Sequence, residues 1–109
     1  MERIVEQGIL YDFYGSLLTG HQRAVYEQVV YQDMSLNEIA EEEGISKQAV
    51  SDLVKRTTAQ MQAYEEKLGM IRKSRELKKL CGKLRGTAEE LDCGREKILE
   101  IAELIEKEL

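Results

Sequence analysis

Between Ser46 and Arg56 the run SKQAVSDLVKR carries Ser46, Lys47, Gln48, Ser51, Asp52, Lys55 and Arg56. On a helix most of these fall on one side, and their chemistry is that of recognition without bond-making. The amide of Gln48 offers the paired donor and acceptor that match the edge of adenine. Lys47 and Lys55 have the reach for guanine or phosphate, and Ser46 or Ser51 can bind a phosphate oxygen near a helix N-terminus. Asp52 shares the outward face. The plainer reading of the same residues is the solvated face of a packing or protein-docking helix, and a fold alone does not choose between the two.

The elements that must present this run start at Ser35. Ser35 followed by Glu38 is a capping box, so a helix begins at Leu36. Ile39 and Ala40 give that helix its inward face, Ala40 being small enough for a close crossing. Gly44 ends it, since glycine adopts the left-handed conformation without penalty. Ile45 tucks under the turn, Ser46 caps the next helix, and Val50, Leu53 and Val54 are its apolar positions. Ala40, Gly44, Ile45, Val50 and Leu53 together fit the core spacing of a helix-turn-helix.

A chain of 109 residues with no Pro, no Trp and one Phe, rich in Leu, Ile, Val, Glu and Lys, is expected to be all-α and to hold one modest core. No long apolar run occurs and MERIVEQ is charged from its second residue, so neither a signal peptide nor a membrane span is expected, and the location expected is cytoplasmic. Cys81 and Cys93 form no CxxC pair. They are expected to be reduced thiols, the alternative being a disulfide between two antiparallel helices in an oxidising compartment. His21, the single histidine, makes no zinc set with two distant cysteines, and no metal or cofactor is expected. The glycines are scattered, without a GxGxxG or GKS/GKT run, and no nucleophile is paired with a base. Catalysis is therefore not expected.

The net charge of −5 divides unevenly. Residues 1–68 carry 6 Lys/Arg against 12 Asp/Glu, residues 69–85 carry 7 against 1, and residues 86–109 carry 3 against 8. Proteins that bind duplexes draw most of their affinity from neutralising phosphates. The helix-turn-helix block is acidic, with Glu41, Glu42 and Glu43 before the turn, whereas MIRKSRELKKLCGKLR is strongly basic.

The chain divides into a helix-turn-helix bundle over 1–68 and a helical extension over 69–109. A first helix is read over 2–18 with Val5, Ile9, Phe13 and Leu17 inward, joined by Leu10 and Tyr14. Thr19 and Gln22 cap a second, about Gly20 to Gln32, with Ala24, Val25, Val29 and Val30 inward. The helix after the turn is long, from Lys47 to Lys67, since Val50, Val54, Thr57, Met61, Tyr64 and Leu68 continue one narrow seam, and Gly69 ends it. A basic helix over 70–85 turns Leu77, Leu80, Cys81 and Leu84 to one face and Arg72, Arg75, Lys79 and Lys83 to others. Those cations fit structured RNA, duplex phosphates, an anionic bilayer, an acidic partner or the acidic segments beside them. Gly86 closes this helix and Thr87 with Glu90 caps an acidic one over 88–108. There Leu91, Ile98, Ala102, Ile105 and Leu109, with Leu99, Ile101 and Leu104, form a stripe wider than one neighbour needs. It should pack as a hairpin, on the long helix, or in a homodimer.

From Phe13 to Met70 the elements FYxSLLT, SLxEIA, GISKQAV and KRT followed by YEEKLG resemble the YlxM family of small bacterial helix-turn-helix proteins. The turn also resembles region four of bacterial sigma factors, which docks its last helix in the major groove. The first resemblance implies a cytoplasmic accessory protein of the signal recognition particle pathway. It also implies a nucleic-acid surface on Ser46 to Arg56, or docking on the targeting GTPase or its receptor. Glu43 and Ser51 depart from the family pattern, where an apolar and an aromatic residue are usual.

Overall fold

The computed structural model describes residues 3–90 and 94–108. Among them every regular element is helical: α1 Arg3–Tyr14, a short 3-10 turn Gly15–Leu17, α2 Gly20–Val30, α3 Leu36–Glu43, α4 Lys47–Leu68, α5 Met70–Glu89 and α6 Arg95–Glu108. They fall into two compact units, Met1–Gly69 and Met70–Leu109.

In the first unit α1, α2 and α3 all pack on α4. The local signals that define α3 and α4 act as their types require. Ser35 Oγ accepts from the Glu38 amide at 3.1 Å, and the Glu38 carboxylate accepts from the Ser35 amide at 3.0 Å. That backbone hydrogen bond holds the Glu38 carboxyl below its ordinary value. Its contribution is present above the unfolded value and disappears as pH falls through the lowered one. Replacing Ser35 by Ala should cost about 1 kcal/mol in thermal or denaturant unfolding, while Ser35→Asp, which keeps an acceptor, should cost much less.

Gly44 sits at φ 69° and its amide donates to the Ala40 carbonyl, so the chain reverses without a Cβ clash. Ser46 Oγ then accepts from the Ala49 amide at 3.0 Å to start α4. Behind the turn, Val25, Ile39 and Val50 are buried together. Val29, Met34, Leu36, Ala40, Ile45, Leu53 and Val54 are packed around them.

The other half of this core is built on tyrosines. Leu10, Tyr11, Tyr14 and Leu18 are buried, while Val5, Phe13 and Leu17 are exposed. The inward face of α1 is thus more than a quarter turn from the Val5-Ile9-Phe13-Leu17 row, and the helix ends at Tyr14, short of residue 18. The reason is that each phenol finds a polar partner. Tyr11 donates to Glu27 at 2.5 Å, Tyr14 to Glu65 at 2.5 Å, and Tyr26 shares a hydrogen with Thr58 at 2.6 Å. A ring buried with its hydroxyl satisfied outcompetes an aliphatic side chain for that space. Gly15 makes room for this packing, since a Cβ there would lie 2.8 Å from the Tyr11 ring.

On α2, Val25 faces inward and Val29 and Val30 are half-buried, but Ala24 is exposed and Tyr26 and Gln28 take the buried positions. The Thr19–Gln22 capping box is formed, and Gln22 also donates to Gln60 on α4 at 2.9 Å. On the seam of α4, Val50, Thr57 and Met61 are buried and Val54 and Tyr64 half-buried. Leu68 is exposed just before the left-handed Gly69.

In the second unit α5 and α6 pack against each other as a hairpin. Gly86 does not stop α5, which runs on to Glu89, and Thr87 is buried inside it and does not cap α6. A glycine ends a helix when it turns left-handed, and among the described residues only Gly44 and Gly69 do so. Leu80 on α5 and Ile101 on α6 are buried, Leu77, Leu84, Leu104 and Ile105 are half-buried, and Cys81 is an exposed free thiol. Cys93, and with it the expected choice between thiol and disulfide, lies outside the described residues, as do Leu91 and Leu109.

Candidate nucleic-acid interface

The front of α4 is the part of the first unit that the turn projects. With Val50 buried and Leu53 and Val54 facing the core, the 100° step of the helix turns Gln48, Asp52, Lys55 and Arg56 outward, all exposed. Ser46 and Lys47 are exposed at the N-terminus of the same helix. The Ser46 hydroxyl is engaged as the cap acceptor, which leaves its O–H free to donate to an oxygen outside.

Two side chains on this face are held in place. Gln48 Nε2 donates to Asp52 Oδ1 at 3.0 Å, and Arg56 Nε donates to the Asp52 carbonyl at 3.4 Å. Asp52 therefore anchors one hydrogen of the Gln48 amide and brings a negative charge among cations. Both effects work against an incoming phosphate or base edge. Asp52→Asn removes the charge and keeps the shape, and should raise affinity for duplex DNA severalfold at low salt in fluorescence anisotropy.

Ser51 differs from the outward position expected for it. It is half-buried because α1 packs along α4. Ser51 and Lys55 share the wall of a groove of about 510 Å³ with Arg3, Glu6 and Gln7 of α1 and Thr58 and Gln62 farther along α4. Arg3 and Gln7 thus stand beside the front of α4. No spacing in the sequence connects residue 3 with residue 55, so only tertiary packing could reveal them.

The acidic triplet does not lie across this face as a block. Glu41 and Glu42 are exposed on α3. Glu43 is half-buried on the α2 side, where it accepts from Gln28 Nε2 at 2.9 Å and lies 3.8 Å from Nδ1 of His21. The polar residue under the turn is thus accommodated by Gln28, itself buried.

The remaining candidates belong to the second unit. Arg72, Arg75, Lys79 and Lys83 are all exposed on α5, with Lys78 and Arg85 also exposed on that helix. Lys79 lies 3.9 Å from Glu76 along its own helix. Leu80 and Thr87 are buried on the same helix, Thr87 one turn beyond Lys83 on the adjoining face. Among the described residues no group of three or more His, Cys, Asp or Glu is placed to hold a metal ion, and no helix is long and apolar enough to cross a membrane.

The family model described as "Putative helix-turn-helix protein, YlxM / p13 like" (UPF0122) matches residues 1–104. The chain belongs to the UPF0122 family. It is similar to UPF0122 proteins of Bacillus cereus (strain AH187), Bacillus anthracis (strain A0248) and Bacillus thuringiensis subsp. konkukian (strain 97-27). Each is 41% identical over 107 residues, which is 98% of this chain and 97% of the relative. The match takes in α5 and most of α6, so these helices are part of the UPF0122 pattern together with the turn.

Proposed function

We propose that this helix-turn-helix protein is a non-enzymatic, cytoplasmic DNA-binding regulator that reads a duplex with the front of α4. The observation that carries the reading is the projection of Lys47, Gln48, Lys55 and Arg56 into solvent by a left-handed glycine turn, on a helix whose other face is core. In this geometry Gln48 and Lys55 address base edges, and Ser46, Lys47 and Arg56 address phosphates. Ser51 and Asp52 tune the approach. The first unit alone is acidic, so the affinity must come from elsewhere, and the exposed cations of α5, Arg72, Arg75, Lys79 and Lys83, are its source. The same cations would serve for structured RNA.

The test is binding of the full chain to random duplex DNA over a salt series. The logarithm of affinity should fall linearly with the logarithm of salt, with a slope near −0.9 per phosphate contacted. A flat profile, or no binding at low salt, overturns the reading.

The acid on the first unit and the Asp52 tie on Gln48 favour a second reading. In it the chain is an adaptor that docks on the targeting GTPase of the signal recognition particle pathway or its receptor. That pathway is implied by the YlxM resemblance. Capture of the tagged protein from lysate with and without nuclease separates the two: a targeting GTPase that stays bound after digestion supports the adaptor.

A further inference from the structure

The face of α6 turned away from α5 has a pattern of its own. Ile101 is buried and Leu104 and Ile105 are half-buried, while Ile98 is 39% exposed, Leu99 is 56% exposed, and Ala102 is exposed. At 100° per residue, Arg95, Leu99, Ala102 and Glu106 form one row on that outer flank. Their spacing of four, three and four residues is that of a helix–helix seam.

We propose that α6 pairs antiparallel with α6 of a second copy of this chain, Leu99 lying over Ala102 and Arg95 beside Glu106. A two-fold axis passing between residues 100 and 101 makes both matches at once, and makes each of them twice. That self-complementarity is what an isologous contact requires. A large side chain over a small one lets the two helices approach closely. The ends of the row carry opposite charges, so the antiparallel arrangement sets Arg95 against Glu106 in both directions. A parallel arrangement would set arginine against arginine, glutamate against glutamate, and leave Ala102 facing Ala102. Charge and size thus select both the second copy as occupant and its direction.

The borders of the seam are unequal. On one side Ile98 meets Ile105 of the second copy, which adds apolar contact. On the other Glu96 meets Glu103 of the second copy, and this like-charge pair weakens the association. Neutralising it should therefore tighten the dimer.

Sedimentation of the full chain without nucleic acid should show a concentration-dependent monomer–dimer equilibrium. Leu99→Glu should weaken it by about tenfold or more, because a charge would be buried in the seam. Glu106→Arg should also weaken it, and the double exchange Arg95→Glu with Glu106→Arg should restore it. Glu96→Gln with Glu103→Gln should strengthen it. The register is read in a Cys81→Ser, Cys93→Ser background by mixing Leu99→Cys protein with Ala102→Cys protein and adding a short bismaleimide. The cross-linked product should be mainly the mixed pair. Three results would overturn the proposal: sedimentation that does not change with concentration, preferential linking of Leu99→Cys to itself, or a large drop in the thermal midpoint of Leu99→Glu at a dilution where the parent is already monomeric, which would place that residue inside its own chain.

Discussion

Replacing Ile39 by Ala should cost about 2–5 kcal/mol in urea unfolding, with an unchanged dependence on denaturant. That is a large fraction of the roughly 5–15 kcal/mol that holds a domain of this size together. Ile39 has no exposed surface, and its neighbours Val25 and Val50 come from α2 and α4, so a truncation leaves a void shared by three helices. The loss reaches beyond volume because α3 is only eight residues long. A helix of that length does not persist alone, and Ile39 is its one buried residue. Its docking depends on that side chain together with the caps at Ser35 and Gly44. Undocking α3 removes the support of the turn, so nucleic-acid affinity should fall together with stability. Glu42→Ala, on the exposed side of the same helix, should stay within about 0.5 kcal/mol of the parent. A cost below that of an ordinary surface substitution at Ile39 would mean that α3 is not held by this core.

The parts of the fold that could be read in the sequence are those decided within one turn of chain. The Ser35–Glu38 and Thr19–Gln22 boxes, Ser46, Gly44 and Gly69 each act on groups no more than four residues away, and each does what its type allows. What was misread depends on distant partners. The inward face of α1 keeps the expected Leu10 and Tyr14 but is turned toward Tyr11, whose hydroxyl reaches residue 27, and a periodicity count that ranks Val5 and Phe13 as more apolar cannot see that partner. Tyr31 makes a similar distant tie on the surface, donating to Asp12, and its phenol is pushed up to about 12 by that hydrogen bond. Since the raised value favours the protonated ring in the folded chain, the tie is intact below pH 10 and is lost as pH rises toward 12. Gly86 was misread for a related reason. The burial of Leu80, Thr87 and Ile101 offsets the roughly 1 kcal/mol by which an interior glycine weakens a helix, and α5 runs on through it.

The candidate surface divides in the same way. Lys47, Gln48, Asp52, Lys55 and Arg56 were legible as an outward set because Val50 and Leu53 fix the inward one. Arg3 and Gln7 were not, and neither was the half-buried state of Ser51, because both follow from where α1 lies on α4.

Replacing Arg75, Lys79 and Lys83 together by Ala should reduce the salt slope for duplex DNA by about 2.7, three phosphates at 0.9 each, and weaken binding by a similar factor on every sequence tried. The three are exposed, and alanine is at least as good a helix former as arginine or lysine, so helix content should not drop. The surrounding charge amplifies the effect. Seven of the sixteen Lys and Arg residues lie in 69–85, and removing three leaves the chain with acid on both sides of a weakened basic segment. Replacing Lys47, Gln48 and Lys55 by Ala should act differently. It removes two cations, so the slope falls less, but it also removes the Gln48 amide, which under the proposed function reads adenine. Discrimination between sequences should then shrink by about 1–3 kcal/mol for each base that is no longer read. The two sets together separate attachment from reading. If the α5 set leaves the slope unchanged while the α4 set abolishes binding, the acidic unit binds by itself and the basic helix has another partner. If both leave it unchanged, the partner is a protein, and the association to measure is the one that survives nuclease.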